Sequence, residues 1–352
     1  MEKKHYNIPV FISHFGCPNA CVFCNQKKIN GRETDVTSED LRNIIDEHLS
    51  FLPENSYKEV AFFGGTFTGI SMSKQKEYLE VVKEYLDRGV VQGIRLSTRP
   101  DYINSEVMDQ LKKYNVTTIE LGVQSLDEEV LKKSARYYPV ETVYKACEMI
   151  KSYGIDLGIQ LMPGLPGSTF ESDFESAKKV VKIAPQNARV YPTLIIKDTE
   201  MERMYQRGEY EVFTLDEAIK RCRKIISLLE LNGINIIRVG LQPSDDLRNG
   251  GVAVEGAFHP AFRELVDGEI YFDFLKKIKE KDGKLNIILN ERLVSRVVGL
   301  KRKNLKRLGE INFTINNEIS ISKIIVNDVE YSRREILERE LGESYEQNNN
   351  KC

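Results

Sequence analysis

Six short apolar stretches, each followed by a segment with helical patterning, constrain this chain more than any other feature. Strands are expected at 10–14, 59–63, 94–97, 118–123, 157–161 and 190–196, and helices near 38–52, 105–114, 128–151 and 170–183. After the second strand, Tyr78, Leu79, Val82, Tyr85 and Leu86 fall at offsets of 0, 1, 4, 7 and 8, which is one face of a helix. Thr37 or Ser38 can cap the first helix, where Glu39 and Asp40 suit its positive end. A strand–helix alternation of this kind requires parallel pairing through right-handed crossovers. The expected fold class is therefore α/β, a whole or partial TIM-type (β/α)6 barrel. Chemistry in such barrels gathers at the C-terminal ends of the strands.

Beyond about Met204 the rhythm changes. A helix is expected at 215–231, with Ala218, Cys222, Ile225 and Leu229 on one face, then a strand at 234–241 and a Pro/Gly-rich connection at 242–260. Further helices are expected near 261–279 and 292–308, a strand near 285–289, and two short strands at 311–315 and 319–326 flanking Asn316 and Asn317. The expected division is a catalytic barrel at 1–204 and a mixed α/β extension at 205–352 that faces substrate or closes the barrel.

Three of the six cysteines, Cys17, Cys21 and Cys24, lie within eight residues. Thiolates this close select iron–sulfur clusters, zinc or Cu(I) over hard cations. A cubane held by three cysteines keeps one iron open to a further ligand. The structural alternative is zinc with His14 as a fourth ligand. A disulfide fits poorly, because the N-terminal residues lack the apolar run of a secretory signal and the other cysteines are scattered. Cys147 and Cys222 fall on apolar helical faces and read as core residues, and Cys352 lies in a polar tail. With no apolar stretch of spanning length, the chain is expected to be cytoplasmic and to have no membrane partner. A net charge of −2 over 352 residues sets up no global field for a nucleic acid.

The C-x3-C-x2-C spacing, with Phe23 just before the last cysteine, resembles the signature of the radical S-adenosylmethionine (SAM) superfamily. The resemblance implies a 4Fe-4S cluster on Cys17, Cys21 and Cys24, with SAM chelating the open iron through its amino and carboxylate groups. Reductive cleavage then gives a 5′-deoxyadenosyl radical that abstracts hydrogen from a substrate. Gly64, Gly65 and Thr66, which end the second strand, resemble the second signature of the superfamily. Glycines there let backbone carbonyls approach the SAM amino group, although a strand-ending Gly-Gly also makes a tight turn. The SAM contacts implied further along are Ser97 after the third strand, Gln124 at the end of the fourth, Arg136 as a fork for the carboxylate, and Gln160 in the fifth. Phe11 and Phe23 complete the cofactor-binding set. The irregular 162–167 segment, rich in Pro and Gly, suits main-chain bonds to adenine.

Segments 97–102, 120–126, 162–167 and 190–197 resemble the radical-SAM domain of the catalytic subunit of Elongator, a branch that acts on wobble uridine of tRNA. More distantly they resemble oxygen-independent coproporphyrinogen oxidase. The likeness covers roughly residues 8–205. Two departures stand out: the chain is too short to add Elongator's acetyltransferase domain, and Ser134-Ala135-Arg136-Tyr137-Tyr138 replaces the usual Gly-Arg-Gly-His context. The implied partners are an electron donor such as flavodoxin or ferredoxin, and tRNA. A small metabolite or haem precursor is the alternative substrate, and a non-catalytic metal-containing binding protein is the reading from another class. Residues 281–310 carry nine Lys/Arg against three acids, a footprint that fits RNA phosphates or a merely solvated face. His259, just before Pro260, can position substrate or cap a helix.

Overall fold

The computed structural model describes residues 4–12, 21–25, 36–241 and 252–342. Seven parallel strands form its main sheet, in spatial order β1-β2-β3-β4-β5-β6-β8. They are β1 (His5–Phe11), β2 (Tyr57–Phe63), β3 (Gly93–Thr98), β4 (Thr118–Gln124), β5 (Asp156–Leu161) and β6 (Asn187–Val190), then, after a short β7 (Leu194–Ile196), β8 (Asn235–Val239). The crossovers run through α1 (Ser38–Phe51), α2 (Met72–Asp87), α3 (Ser105–Lys113), the pair α4 (Glu128–Lys133) and α5 (Val140–Ser152), and α6 (Phe170–Ile183). A short α7 (Glu200–Gln206) and a long α8 (Leu215–Leu231) lead to the last strand. The expected partial barrel is present with seven strands rather than six, because β8 adds to β6 from beyond Met204. β1 and β8 stay unpaired to each other, so the barrel is open.

Period-two alternation gives the sheet two unlike faces. Ile8, Val10, Val60, Phe62, Ile94, Leu96, Ile119, Leu121, Leu157 and Ile159 are buried in one core. Phe62 packs 4.8 Å from Phe67 and 5.9 Å from Tyr78 between ring centroids. Burying each such side chain contributes about 2–3 kcal/mol. The alternate positions face the inside of the curve and are largely polar: Glu59, Arg95, Ser97, Glu120, Gln160 and Arg189. The helices start where the sequence provides caps. Thr37 with Asp40, Thr169 with Ser172, and Thr214 with Glu217 each form a reciprocal capping box.

Several expected elements are broken, each for a local reason. The 128–151 helix splits because Ala135 takes φ 56° and Pro139 caps the second half, where a continuous helix would clash. The 190–196 strand splits at Pro192, which has no N–H to donate, and β7 pairs antiparallel with β9 (Ala253–Gly256) instead. The 10–14 strand is found earlier, at His5–Phe11.

α9 (Phe262–Asp282) packs against α8 and opens the C-terminal region. The 292–308 helix is replaced by single turns, among them α10 (Val294–Val298) and α11 (Lys303–Leu308), because Gly299, Lys301 and Arg302 have φ of 77°, 51° and 61°. A second sheet orders β11-β10-β12-β13, with β10 at Asn286–Leu289, β11 at Asn312–Ile315, β12 at Lys323–Val326 and β13 at Val329–Ser332. β11 and β12 flank β10 rather than pairing with each other. The tight hairpin is β12–β13, turned by Asn327 and Asp328 at φ 49° and 65°. α12 (Arg333–Leu341) ends the described chain against α8 and α9. No helix among the described residues is long and apolar enough to cross a membrane.

Candidate functional site

Parallel pairing puts the ends of β1 to β6 on one edge, and the expected site residues gather there. Phe11 closes β1, 40% exposed, with its ring 6.3 Å from that of Phe63 at the end of β2. Gly64 follows at φ 97°, a conformation that disfavours any side chain, and Gly65 is half-buried beside the buried Thr66. Ser97 is half-buried on β3. Gln124 ends β4 on a bulge, at φ 71°, where its Oε1 accepts from Gln160 Nε2 at 3.0 Å. A non-glycine residue held at positive φ on a strand end is uncommon, and such strain clusters at ligand sites.

Cys21, Cys24 and Phe23 sit over this edge. The Cys24 N–H donates to the Cys21 carbonyl at 3.0 Å, so a tight turn carries the two sulfurs. Backbone bonds tie the turn to distant segments: Val22 N–H to the Ser134 carbonyl at 3.2 Å, and Met201 N–H to the Val22 carbonyl at 2.8 Å. Val22 and Phe23 pack with Val130, Leu165, Ile195 and Met201 in a separate small core. Cys17 and His14 lie outside the described residues. Among the described residues no group of three His, Cys, Asp or Glu side chains is assembled for a metal.

Arg136 is brought to the cysteine turn by the break between α4 and α5. Its guanidinium is 3% exposed, donates from Nη1 to Cys21 Sγ at 3.3 Å and from Nε to the Tyr138 hydroxyl at 2.8 Å, and bonds the Gly122 carbonyl through Nη2. Arg99 reaches the same sulfur at 3.4 Å and is held bidentate by Asp101 at 2.9 and 2.8 Å. The Tyr138 ring lies near both guanidinium carbons, at 5.5 and 5.2 Å. Sequence reasoning did not single out Arg99 or Tyr138. For Arg99, its place two residues after the inward-facing Ser97 was the available signal.

Beneath this edge a charge ladder crosses four strands. Glu59 Oε2 accepts from Arg95 at 2.7 Å, and Arg95 also reaches Glu120 at 2.7 Å. Arg189 binds both Glu120 oxygens, with Nη2 to Oε1 at 3.0 Å. Burial pushes the Glu59 carboxyl up, but bonds from His5, Arg95 and Thr117 outweigh it and hold the group at about 2. The ladder was not legible, because its four members are spread over four separate segments.

The 162–167 segment is held by the protein itself. Gly164 N–H donates to Asp173 Oδ2 at 3.1 Å, the Gly164 carbonyl accepts from Tyr210 at 2.6 Å, and Thr193 N–H bonds the Pro163 carbonyl at 3.0 Å. Burial raises the Asp173 carboxyl from 3.8 to about 6, although Arg221 lies 3.0 Å away and opposes the shift. An acid raised in the folded state stabilises the fold below its unfolded value, and that contribution is lost as pH rises through the folded value. Wild type is therefore expected to lose stability relative to Asp173→Asn between pH 4 and 7. Urea denaturation of both proteins across that range checks it, and a constant gap would contradict it. His259 accepts the Ala261 N–H at 3.0 Å just ahead of α9, a local turn-capping contact. Cys147 and Cys222 are buried core residues, and burial raises the Cys147 thiol to about 12.

The Radical SAM superfamily model matches residues 11–180, and a Radical_SAM C-terminal domain model matches 185–271. A protein named tRNA uridine(34) acetyltransferase from Methanocaldococcus infernus is 31% identical over 182 residues, covering 46% of this chain and 34% of its own. An uncharacterised protein of Methanocaldococcus jannaschii is 30% identical over 230 residues, 61% of this chain and 69% of its own. Elongator complex protein 3 of Saccharomyces cerevisiae is 29% identical over 195 residues, 49% of this chain and 34% of its own. The solved structure of Methanocaldococcus infernus Elp3, with an N-terminal deletion, aligns at TM-score 0.59 and 25% identity over 80% of this chain and 64% of that one. The chain thus spans about a third of the length of the named tRNA acetyltransferase and Elongator relatives. With both domain models and the open parallel barrel in agreement, this chain belongs to the radical SAM superfamily and is an enzyme whose cofactors are a 4Fe-4S cluster and S-adenosylmethionine.

Proposed function

We propose that this enzyme generates a 5′-deoxyadenosyl radical to abstract hydrogen from an RNA substrate, in the modification of tRNA. The observation that carries the reading is the Cys21–Cys24 turn, set over the strand ends with two buried guanidiniums aimed at the Cys21 sulfur. That donor set fits the cluster. Soft thiols on a one-turn spacing suit iron, and buried cations beside them suit a centre whose thiolates carry negative charge. Cys17, Cys21 and Cys24 would hold it. The half-open polar edge made by Gly64, Gly65, Thr66, Ser97, Gln124 and Gln160 fits SAM, which carries both a polar amino-acid end and a nucleoside, with Phe11 and Phe23 at its margin. When bound, the cluster supplies the electron that cleaves SAM. The protein's own part is to fix both cofactors against the substrate carbon and to keep water out.

The RNA part of the proposal rests on the names of the relatives and on one surface turn. Lys303 and Arg307 are tied to Glu269 at 3.1 and 2.6 Å, and Arg307 also lies over the Phe272 ring at 3.4 Å. Lys301 and Arg302 are exposed, and their side chains have no ion-pair partner among the described residues. Both are held in left-handed backbone by a buried anchor, Asn304, whose Nδ2 bonds the Gly268 and Val297 carbonyls at 2.8 and 3.1 Å. Their charge is therefore available to phosphates, whereas that of Lys303 is already used. Replacing Lys301 and Arg302 by Gln is expected to weaken binding of bulk tRNA and to reduce the slope of log affinity against log salt by about 2. Filter binding over a salt series reads this. An unchanged slope would favour a small-metabolite substrate.

A further inference from the structure

We propose that Arg136, together with Arg99, acts on the Cys21 sulfur rather than as a fork for the SAM carboxylate, and that it raises the reduction potential of the cluster. The inference rests on the proposed ligation by Cys21.

The geometry leaves Arg136 little to offer a carboxylate. Its Nε, Nη1 and Nη2 are each engaged, by Tyr138, Cys21 and Gly122 respectively. The contacts also make the guanidinium rigid. Tyr138 receives both Nε and Nη2, and the left-handed Ala135 aims the arginine backbone across the end of β4.

Charge carries the argument further. Arg99 and Arg136 are 4% and 3% exposed, and both donate to one sulfur. Asp101 balances Arg99, but no carboxylate among the described residues pairs with Arg136. A buried cation without a counter-charge is expensive, and a neutral thiol supplies none. A thiolate bound to iron does, so the pair of guanidiniums is matched when Cys21 serves a cluster. Reduction adds a further negative charge to that centre. N–H donors and positive charge at a ligating sulfur favour the reduced form, and hydrogen bonds to sulfur are an established control of cluster potential. In this site the effect acts at low effective dielectric, where a fixed charge counts most.

The test is an anaerobic redox titration of the reconstituted full chain followed by electron paramagnetic resonance, beside equilibrium binding of SAM to the oxidised protein. Arg136→Gln is expected to lower the midpoint by an amount on the order of a tenfold change in the reduction equilibrium, about 59 mV for one electron. Arg136→Lys, which keeps the charge, should fall by less, and the SAM dissociation constant should stay within about threefold. An unchanged midpoint with SAM affinity weakened tenfold or more would overturn the proposal and return Arg136 to the carboxylate. Should Arg136→Gln fail to take up iron, Arg99→Lys tests the second donor on the same sulfur, again with a lowered midpoint expected and an unchanged one fatal. A wild-type chain that loads no cluster defeats the proposed ligation itself, which separates that failure from this one.

Discussion

Replacing Cys21 with Ala is expected to abolish formation of 5′-deoxyadenosine from SAM under strong reductant, while wild type reconstituted in the same way forms it. Three thiolates hold three irons of a cubane and leave the fourth open, and two are too few to retain it, so losing one removes the centre rather than weakening it. The fold should survive. The lost side chain is small, and the cost lies mainly in the two N–H donors of Arg99 and Arg136 that lose their acceptor, about 1–3 kcal/mol. Far-ultraviolet circular dichroism should therefore be unchanged where the chemistry is gone. Cys147→Ala is the matching control. Its sulfur is equally buried, but it sits in the helical layer on α5, so some stability and no cofactor chemistry should be lost.

The largest expected loss of stability comes from Glu120→Ala. Glu120 is 5% exposed and accepts from both Arg95 and Arg189. Arg95 keeps Glu59 when the carboxylate goes, but Arg189 keeps the Tyr191 hydroxyl at 3.1 Å and the Phe63 ring 5.6 Å from its guanidinium carbon, neither of them a counter-charge. Removing one partner from a buried ion pair leaves an uncompensated charge and typically costs about 3–5 kcal/mol. Urea denaturation should show a loss of that order. A change under about 1 kcal/mol would mean that the inner face of the sheet is far wetter than this ladder implies.

The ladder also explains what the sequence could and could not convey. The helix-facing half of each strand was legible because Ile94, Leu96, Ile119 and Leu121 alternate with polar residues. Their parity alone separates the helix-facing side from the lumen. Helix starts were legible at Thr37, where a hydroxyl and an acid three residues on cap each other. The break at Ala135 was not. Pro139 is the local signal that a continuous helix must stop, but it does not place the turn at 135, and the contact made there joins Arg136 to a cysteine 115 residues away. The basic segment before residue 310 was legible as composition but not as shape, since Gly299 and the buried Asn304 turn it into single turns. Only that shape distinguishes the tied Lys303 from Lys301 and Arg302, which have no ion-pair partner among the described residues. Of the proposed cofactor set, Gln124 was singled out by its strand-end position and Gln160 by the family resemblance, whereas their mutual hydrogen bond depends on a bulge that no pattern announces.

The most direct test of the central claim is the metal centre of the wild-type chain after anaerobic reconstitution, read as iron and sulfide content and as the resonance spectrum of the reduced state with and without SAM. The account predicts the content of one 4Fe-4S cluster and a spectrum that changes when SAM is added, because one iron is free to take it as a ligand. A colourless zinc protein, or a cluster whose spectrum ignores SAM, would contradict it.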